Sequence, residues 1–506
     1  MAVLNSSDER SGCVEVRILS FIRPAGLRAR LGRSPAVFVL ACLFLIFLAL
    51  LSGHLYSIDG LQYFRVAESI VFDRSLLFNP PLTWGSPITT PVTPVGFSLV
   101  QIPAVLLAGW ARPLQPLSGT APYNWALLYG DPVYTLASWV NPLLAALTGA
   151  VTFRTAGRLG VSRRAAMLIA IATVLGSPLF FYARADFAQP LASLLALGIV
   201  ALLIDAVQRR HVWPGLMTGA VALAILTRQA DGLLIAFLAL GVLCLPLGDW
   251  RPWRDARRLG VEVGLGVLAG MGVTLVLNAI RFGSPLNFGY NPDFGGSFRW
   301  GLIAELFSPG RGLLWYFPLV VLAPIGAWVL WRRGLGHEAA AMVLPVLAYL
   351  PIYAKYASLG GWDWGPRYLV PLVPLLALLA GAVAWPQRRH APVLLFGVLG
   401  IVGGLVNVSN LAVDPLKGFW GVYGDDLFGT AGFWRQFDIG AFAPIGSWQW
   451  YNPVAGPDIM WLRLAGSTHG ASIVVFLTLL LLGVWALVRA WRLSGPMPGA
   501  TFERVN

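Results

Sequence analysis

Ala36-Val37-Phe38-Val39-Leu40-Ala41-Cys42-Leu43-Phe44-Leu45-Ile46-Phe47-Leu48-Ala49-Leu50-Leu51 is an unbroken apolar run, and shortly after it stands Tyr56-Ser57-Ile58-Asp59-Gly60-Leu61-Gln62-Tyr63. The first stretch reads as a helix entering a bilayer. The second places an acid where that helix emerges. An ionisable side chain at such a boundary is costly, and by default it marks a functional site. Together the two stretches set the reading of the whole chain: helices dissolved in lipid, with charge kept at their ends.

Composition agrees. Of 506 residues, 57% are hydrophobic and 12% charged, against roughly 25% charged in soluble proteins. The mean hydropathy is +0.70. Twenty-one Trp suit membrane interfaces. Three cysteines are too few for a disulfide framework and read as free thiols. The net charge of +13 would suit nucleic acid, but its placement does not. Basic residues gather in short loops on alternate sides of the apolar runs, the positive-inside pattern, and there is no soluble domain to present a basic face.

This alternation predicts an all-α polytopic membrane protein with about twelve spans. Residues 1–35 form a basic cytoplasmic tail, 36–411 the main membrane module, and 412–506 an aromatic-rich outer loop with the last span at 470–491. The first outer loop, 54–131, is long and rich in Pro and aromatics. Its run Val95–Trp110 is expected to be interfacial or re-entrant, because a full crossing would turn every later Arg-rich loop outward. The expected location is the plasma (inner) membrane, with the functional residues on the outer face.

At the predicted outer ends of the spans, acids and bases recur together: Asp59, Arg184, Asp186, Arg228, Asp231, Arg281, Arg311, Lys355, Asp363 and Arg367. If these tips converge they form a wet, charged pocket. Cations there could hold a lipid-linked phosphate, and a carboxylate could take a proton from a hydroxyl.

Several stretches in chain order carry a family resemblance. They are Ser57-Ile58-Asp59-Gly60-Leu61-Gln62-Tyr63, Pro91-Val92-Thr93-Pro94-Val95-Gly96, Tyr182-Ala183-Arg184-Ala185-Asp186-Phe187-Ala188-Gln189-Pro190-Leu191 and Thr227-Arg228-Gln229-Ala230-Asp231-Gly232. Asn278 to Tyr290, Ser308-Pro309-Gly310-Arg311-Gly312 and Gly361-Trp362-Asp363-Trp364-Gly365-Pro366-Arg367-Tyr368 follow. The sequence resembles a GT-C type membrane glycosyltransferase, of the group that includes protein O-mannosyltransferases and bacterial aminoarabinose transferases. The resemblance implies a bundle fold and a polyprenyl-phosphate sugar donor. It also implies inverting transfer to a hydroxyl of an acceptor glycan, lipid or protein, on the outer face.

On that resemblance Asp59 is the expected base and Asp186 a second or orienting acid. Arg311, Lys355, Arg367, Arg184 and Arg228 are expected phosphate ligands, and Tyr63, Gln189, Asp363, Trp362 and Trp364 line the substrate. Gln189 departs from the family, which often has an acid before Pro-Leu. No cofactor is assigned; a divalent cation is left open.

Plainer readings stand beside these. Asp59 could cap the following helix, with Gln62 closing a capping box. Arg228 and Asp231 could simply pair, as could Arg184 and Asp186. Lys355 could snorkel, and the Trp residues could anchor the interface. Asn407-Val408-Ser409 is a sequon within an apolar span and is discounted. A transporter or flippase of lipid-linked saccharide, or an O-antigen-type polymerase or ligase, is the competing function.

Overall fold

The computed structural model describes residues 34–54, 56–77, 82–84, 86–88, 90–111, 132–245, 253–289, 293–356, 364–383, 390–412, 430–449, 451 and 456–495. It is helical throughout, apart from an antiparallel ribbon of Leu82–Trp84 and Ser86–Ile88 in the first loop. Among the described residues, six helices are long and apolar enough to cross a membrane, and six shorter apolar ones accompany them. The chain is a polytopic helical membrane protein.

Helix α1 is Pro35–Ala49 and α2 is Ile58–Glu68. Next come α3 (Gly96–Ala111), α4 (Val140–Arg158) and α5 (Arg163–Leu175). The middle of the bundle holds α6 (Gln189–Val207), α7 (Leu216–Thr227), α8 (Gln229–Cys244) and α9 (Trp253–Phe282). The later helices are α10 (Phe298–Phe307), α11 (Ala323–Arg332), α12 (Gly336–Ala354) and α13 (Val373–Val383). The last two are α14 (His390–Val408) and α15 (Ala471–Leu493).

Three of the apolar runs, 165–182, 313–331 and 368–385, are broken. The span 165–182 stops at Gly176-Ser177-Pro178 and resumes as the short helix Leu179–Tyr182. That at 313–331 breaks after the short helix Leu313–Tyr316 into the 3-10 turn Pro318–Leu322, and that at 368–385 begins in the 3-10 turn Arg367–Leu372. Proline cannot supply the N–H that a regular α-helix needs there.

Burial sorts the helices. Along the best apolar window of α6, 78% of residues are buried, against 17% for α15 and for 391–411. The peripheral helices show Leu268, Leu394, Ile401, Leu405, Val474 and Leu481 outward. So continuous an apolar surface is stable only against lipid. With no hydrophobic drive between helices in lipid, association rests on close packing of small residues. Gly266 and Gly270 on α9 sit against Thr218, Val221 and Ala222 of α7. Gly149 of α4 receives Leu43 of α1.

Contacts at helix ends test the alternation directly. At one end, Arg158 pairs with Asp205 at 2.7 Å, Gln208 donates to Glu338, His337 meets the Leu245 carbonyl and Arg258 reaches the Val212 carbonyl. At the other end lie the termini near residues 50–54, 56–63, 184–189, 227–231, 281, 353–356, 364–368 and 407–411, joined by the bonds described below. Helix α3 belongs to this second end. It packs on α2, on the turn Pro132–Ala137 and on the end of α7, where Gly96 meets Leu226 and Thr227.

Candidate active site

Asp59 owes its position to three neighbours. Ser57, not Asp59, caps α2: its hydroxyl accepts the Gly60 N–H at 2.9 Å. Asp59 therefore lies in the first turn with its carboxylate released from capping. Gln62 closes no capping box; its carbonyl oxygen accepts the Val92 N–H at 3.0 Å and ties the Pro-rich loop to α2. Gly60 lies against the Asp186 carboxylate, which a Cβ there would overlap.

The Asp59 carboxylate pairs with Arg367 through Oδ2. The two side chains are 32% and 16% exposed, so Asp59 is the open member of the pair. Gln189 opens α6 beside them. With its carboxamide oxygen facing the guanidinium groups, it accepts from Arg367 Nε at 3.0 Å and from Arg228 Nη1 at 3.3 Å. Arg228 in turn pairs with Asp231 at 2.6 Å and donates to the Tyr353 hydroxyl at 3.2 Å. Rings fix the cations from the side. Arg228 lies over Tyr368 and Arg367 over Phe187, while Tyr353 and Tyr368 stack at 4.6 Å. Tyr63 is buried edge-on to Phe97. Burial, and then the nearby Asp59 charge, push its phenol well up.

Within this end of the bundle, Arg281 has no carboxylate partner among the described residues. Its Nη1 donates to the Thr93 carbonyl at 3.0 Å, while Nε and Nη2 have no protein partner there. Arg281 lines a cleft of about 10 Å³ together with Thr93, Gln229, Thr274 and Asn278, in which the buried Thr93 hydroxyl is also unmatched. That volume holds roughly one oxygen-sized group. Gln229 follows Arg228 in the chain, and Val92 is bonded to Gln62, so the cleft neighbours the Asp59 cluster along the chain.

A second polar knot braces the site. The Asp458 carboxylate is fully buried and takes His54 at 2.9 Å, Arg463 at 2.8 Å, Arg184 at 3.6 Å and the Tyr56 hydroxyl. Burial raises its proton affinity, but His54, Arg184 and Arg463 outweigh that and hold it well below the usual carboxylate range. Arg184 also donates to the Leu50 carbonyl at 2.6 Å and to Asn410. Met460 N–H reaches the Leu51 carbonyl at 2.7 Å, and Gly53, at φ +73°, leaves no room for a Cβ beneath the Met460 side chain. The late loop thus clamps the exit of α1.

Of the expected site residues, the structure joins Asp59, Tyr63, Gln189, Arg228 and Arg367 in one cluster. Arg184 directs its donors into the Asp458 knot and to the Leu50 carbonyl and Asn410. Asp186 accepts the N–H groups of Tyr56 at 3.1 Å and Ser57 at 3.4 Å, and no described contact pairs it with Arg184. Arg311 is buried in the turn after α10, its N–H on the Ser308 hydroxyl at 3.2 Å, and no described contact joins it to Asp59. Lys355 is exposed and donates to the Gly296 carbonyl at 3.0 Å. Trp364 is core: its indole donates to Asn407 at 3.1 Å and its ring packs on Phe181 and Tyr316. Trp362 and Asp363 lie outside the described residues. Asn407 is fully buried, as its place in an apolar span requires.

A divalent cation would need converging carboxylates. Asp59 turns to Arg367, Asp186 to backbone N–H groups and Asp231 to Arg228. Among the described residues no three His, Cys, Asp or Glu side chains converge. The described residues of this cluster do not fit a metal.

Fold and cluster together define a helical membrane protein with a charged pocket at one end of its bundle. No known family model matches the chain, and no curated protein matches it. Among solved structures the chain is similar to ArnT from Cupriavidus metallidurans in the apo state (TM-score 0.49, 18% identity, 90% of this chain and 75% of that one). It is also similar to the same protein bound to undecaprenyl phosphate (TM-score 0.46, 17% identity, 90% and 77%). The Archaeoglobus fulgidus oligosaccharyltransferase in the apo form follows at TM-score 0.44 and 10% identity, with 81% of this chain and 55% of that one covered. All three TM-scores are under 0.5, and the chemistry below rests on the pocket's own residues.

Proposed function

We propose that this protein is an inverting glycosyltransferase of the GT-C type, moving a sugar from a polyprenyl-phosphate donor to an acceptor hydroxyl at the outer membrane boundary. The observation that carries the reading is the half-open carboxylate of Asp59, held by Arg367 on one oxygen. Among the described residues its Oδ1 has no partner, so it is available to a hydroxyl proton.

In the transfer, Asp59 accepts the acceptor's O–H proton as that oxygen attacks the anomeric carbon. The bond from that carbon to the phosphate oxygen breaks, and polyprenyl phosphate leaves with the electron pair. The proton on Asp59 passes to water at its exposed edge. A phosphate leaves readily once its charge is clamped. Arg228 and Arg367 are each matched by a carboxylate already. Arg281 is not, and its two open donors, with the Thr93 hydroxyl, suit a phosphate oxygen.

The test is an Asp59→Asn variant in membranes supplied with polyprenyl-phosphate sugars. Transfer is expected to fall by roughly 100-fold or more, while donor binding persists. Full retained transfer would remove Asp59 as the base. Donor moved across vesicles without cleavage would establish transport instead.

A further inference from the structure

Asp186 touches no reacting group in the transfer just described, yet it is the acid most closely tied to the helix that carries Asp59. Its two carboxylate oxygens take the N–H groups of Tyr56 and Ser57, immediately before α2. Ser57 then caps α2 through the Gly60 N–H. The carboxylate lies flush on Gly60, the residue after Asp59, with space that excludes even a methyl group. One acid thus fixes both the entry of α2 and its first turn. A negative charge at this end also complements the helix dipole.

The loop carrying Asp186 is itself fixed at both ends. Arg184 binds the Leu50 and Asp458 carbonyls, and Gln189 binds the two arginines of the site. Base and cations are therefore registered against the same six-residue segment.

We propose that Asp186 is the positioning residue of the site: its ionised carboxylate sets the register of α2, and so the reach of the Asp59 carboxylate toward the acceptor hydroxyl. This rests on the reading of Asp59 as base.

Burial pushes the Asp186 carboxyl up to about 7, against the pull of the N–H groups and His54. The charged and titratable groups facing it are His54, Tyr56, Arg184 and Tyr134. Of these, His54, Tyr56 and Arg184 are engaged by Asp458. The fold therefore prefers Asp186 neutral. Its contribution to stability is complete below the ordinary carboxylate range and is lost as pH rises through about 7. The ionised form is the one that accepts both N–H groups without an intervening proton. A charge held against the preference of the fold is what a functional role predicts and a structural one does not.

The experiment compares Asp186→Asn, Gly60→Ala and Asp59→Asn in membrane preparations, reading kcat and donor KM from pH 5 to 9 and thermal stability at pH 8. Asparagine keeps the shape but turns an NH₂ toward one of the two N–H groups. Asp186→Asn is expected to lower kcat by about 100-fold, the effect of a misplaced reacting group, with donor KM within about two-fold and stability at pH 8 unchanged or higher. The wild-type acid limb near pH 7 is expected to vanish in this variant. Gly60→Ala should lower kcat in the same way, since its methyl displaces the same carboxylate. Wild-type kcat with an unchanged acid limb in Asp186→Asn would overturn the proposal, as would lost stability with an unchanged pH profile in the surviving enzyme. Full activity of Asp59→Asn would instead overturn the base on which it rests.

Discussion

Asp59 and Arg367 are 308 residues apart in sequence and form an ion pair at the mouth of the pocket. Neither is held by the other alone. Asp59 is fixed by the capped start of α2, and Arg367 by Gln189 and the Phe187 ring. The pair aims the carboxylate, which makes Arg367 a partner of the base as well as a cation. Replacing Arg367 with Gln is expected to reduce transfer by about 100-fold, as lost orientation does. In the double variant with Asp59→Asn, little further loss is expected, because the two act as a unit. Initial rates of transfer from a labelled polyprenyl-phosphate sugar give the cycle. Fully additive losses would separate the two residues.

Arg281 calls for a different signature. It lines the cleft beside the Asp59 cluster rather than pairing with the acid. A hydrogen bond to a charged group contributes about 1.5–3 kcal/mol. Arg281→Gln should therefore raise donor KM roughly 10- to 100-fold while kcat changes little. Thr93→Val should do the same to a smaller degree. Donor titration against each variant checks this, and an unchanged KM for Arg281→Gln would move the phosphate elsewhere.

The Asp458 knot predicts stability rather than rate. Removing one charge from a buried network leaves its partners unmatched, at a cost of about 3–5 kcal/mol. Asp458→Asn should lower the melting temperature in detergent markedly. The acid-side behaviour follows from sign. The Asp458 carboxyl is held below its unfolded value by His54, Arg184 and Arg463, against the burial that raises it. Its contribution is thus present above the ordinary carboxylate range and lost only as pH falls beneath it. The wild-type protein should keep this increment at pH 5, where the melting-temperature gap to Asp458→Asn should match that at pH 7. A gap that closes by pH 5 would contradict the assignment.

The fold was legible because lipid imposes strong rules: apolar runs, charge alternation and aromatic ends each point to the same helices. The ends of the bundle were legible too, since Asp59, Gln189, Arg228 and Arg367 recur at span tips and meet there. The choice among cations was not. Arg184 and Arg311 are predicted at span tips just as Arg367 is, and sequence does not show that Arg184 is turned into a knot. Arg281 escaped for the converse reason. What marks it is the lack of a carboxylate in three dimensions, while Asp231 stands three residues from Arg228 in sequence and announces its pairing. Asp458 was missed because its partners His54, Tyr56 and Arg184 lie hundreds of residues upstream, in loops that carry no periodic signal.

The α7–α9 seam gives a prediction independent of chemistry. Gly266 and Gly270 present bare backbone to α7, and a Cβ at Gly266 would stand 2.7 Å from the Val221 Cβ and 2.8 Å from the Thr218 carbonyl. The Thr218 hydroxyl crosses the same seam to the Glu262 carbonyl at 3.0 Å. Such close approach is what small residues permit between helices in lipid. Gly266→Leu must part the two helices, and α7 ends at Thr227, one residue before Arg228. Overpacking of this kind costs about 1–3 kcal/mol, so a lower melting temperature is expected. Because the seam leads to the pocket, donor binding should weaken with it. Gly264→Leu, one turn-step away with open space at its Cβ, should leave both unchanged. Equal behaviour of the two variants would show that the seam is not packed as described.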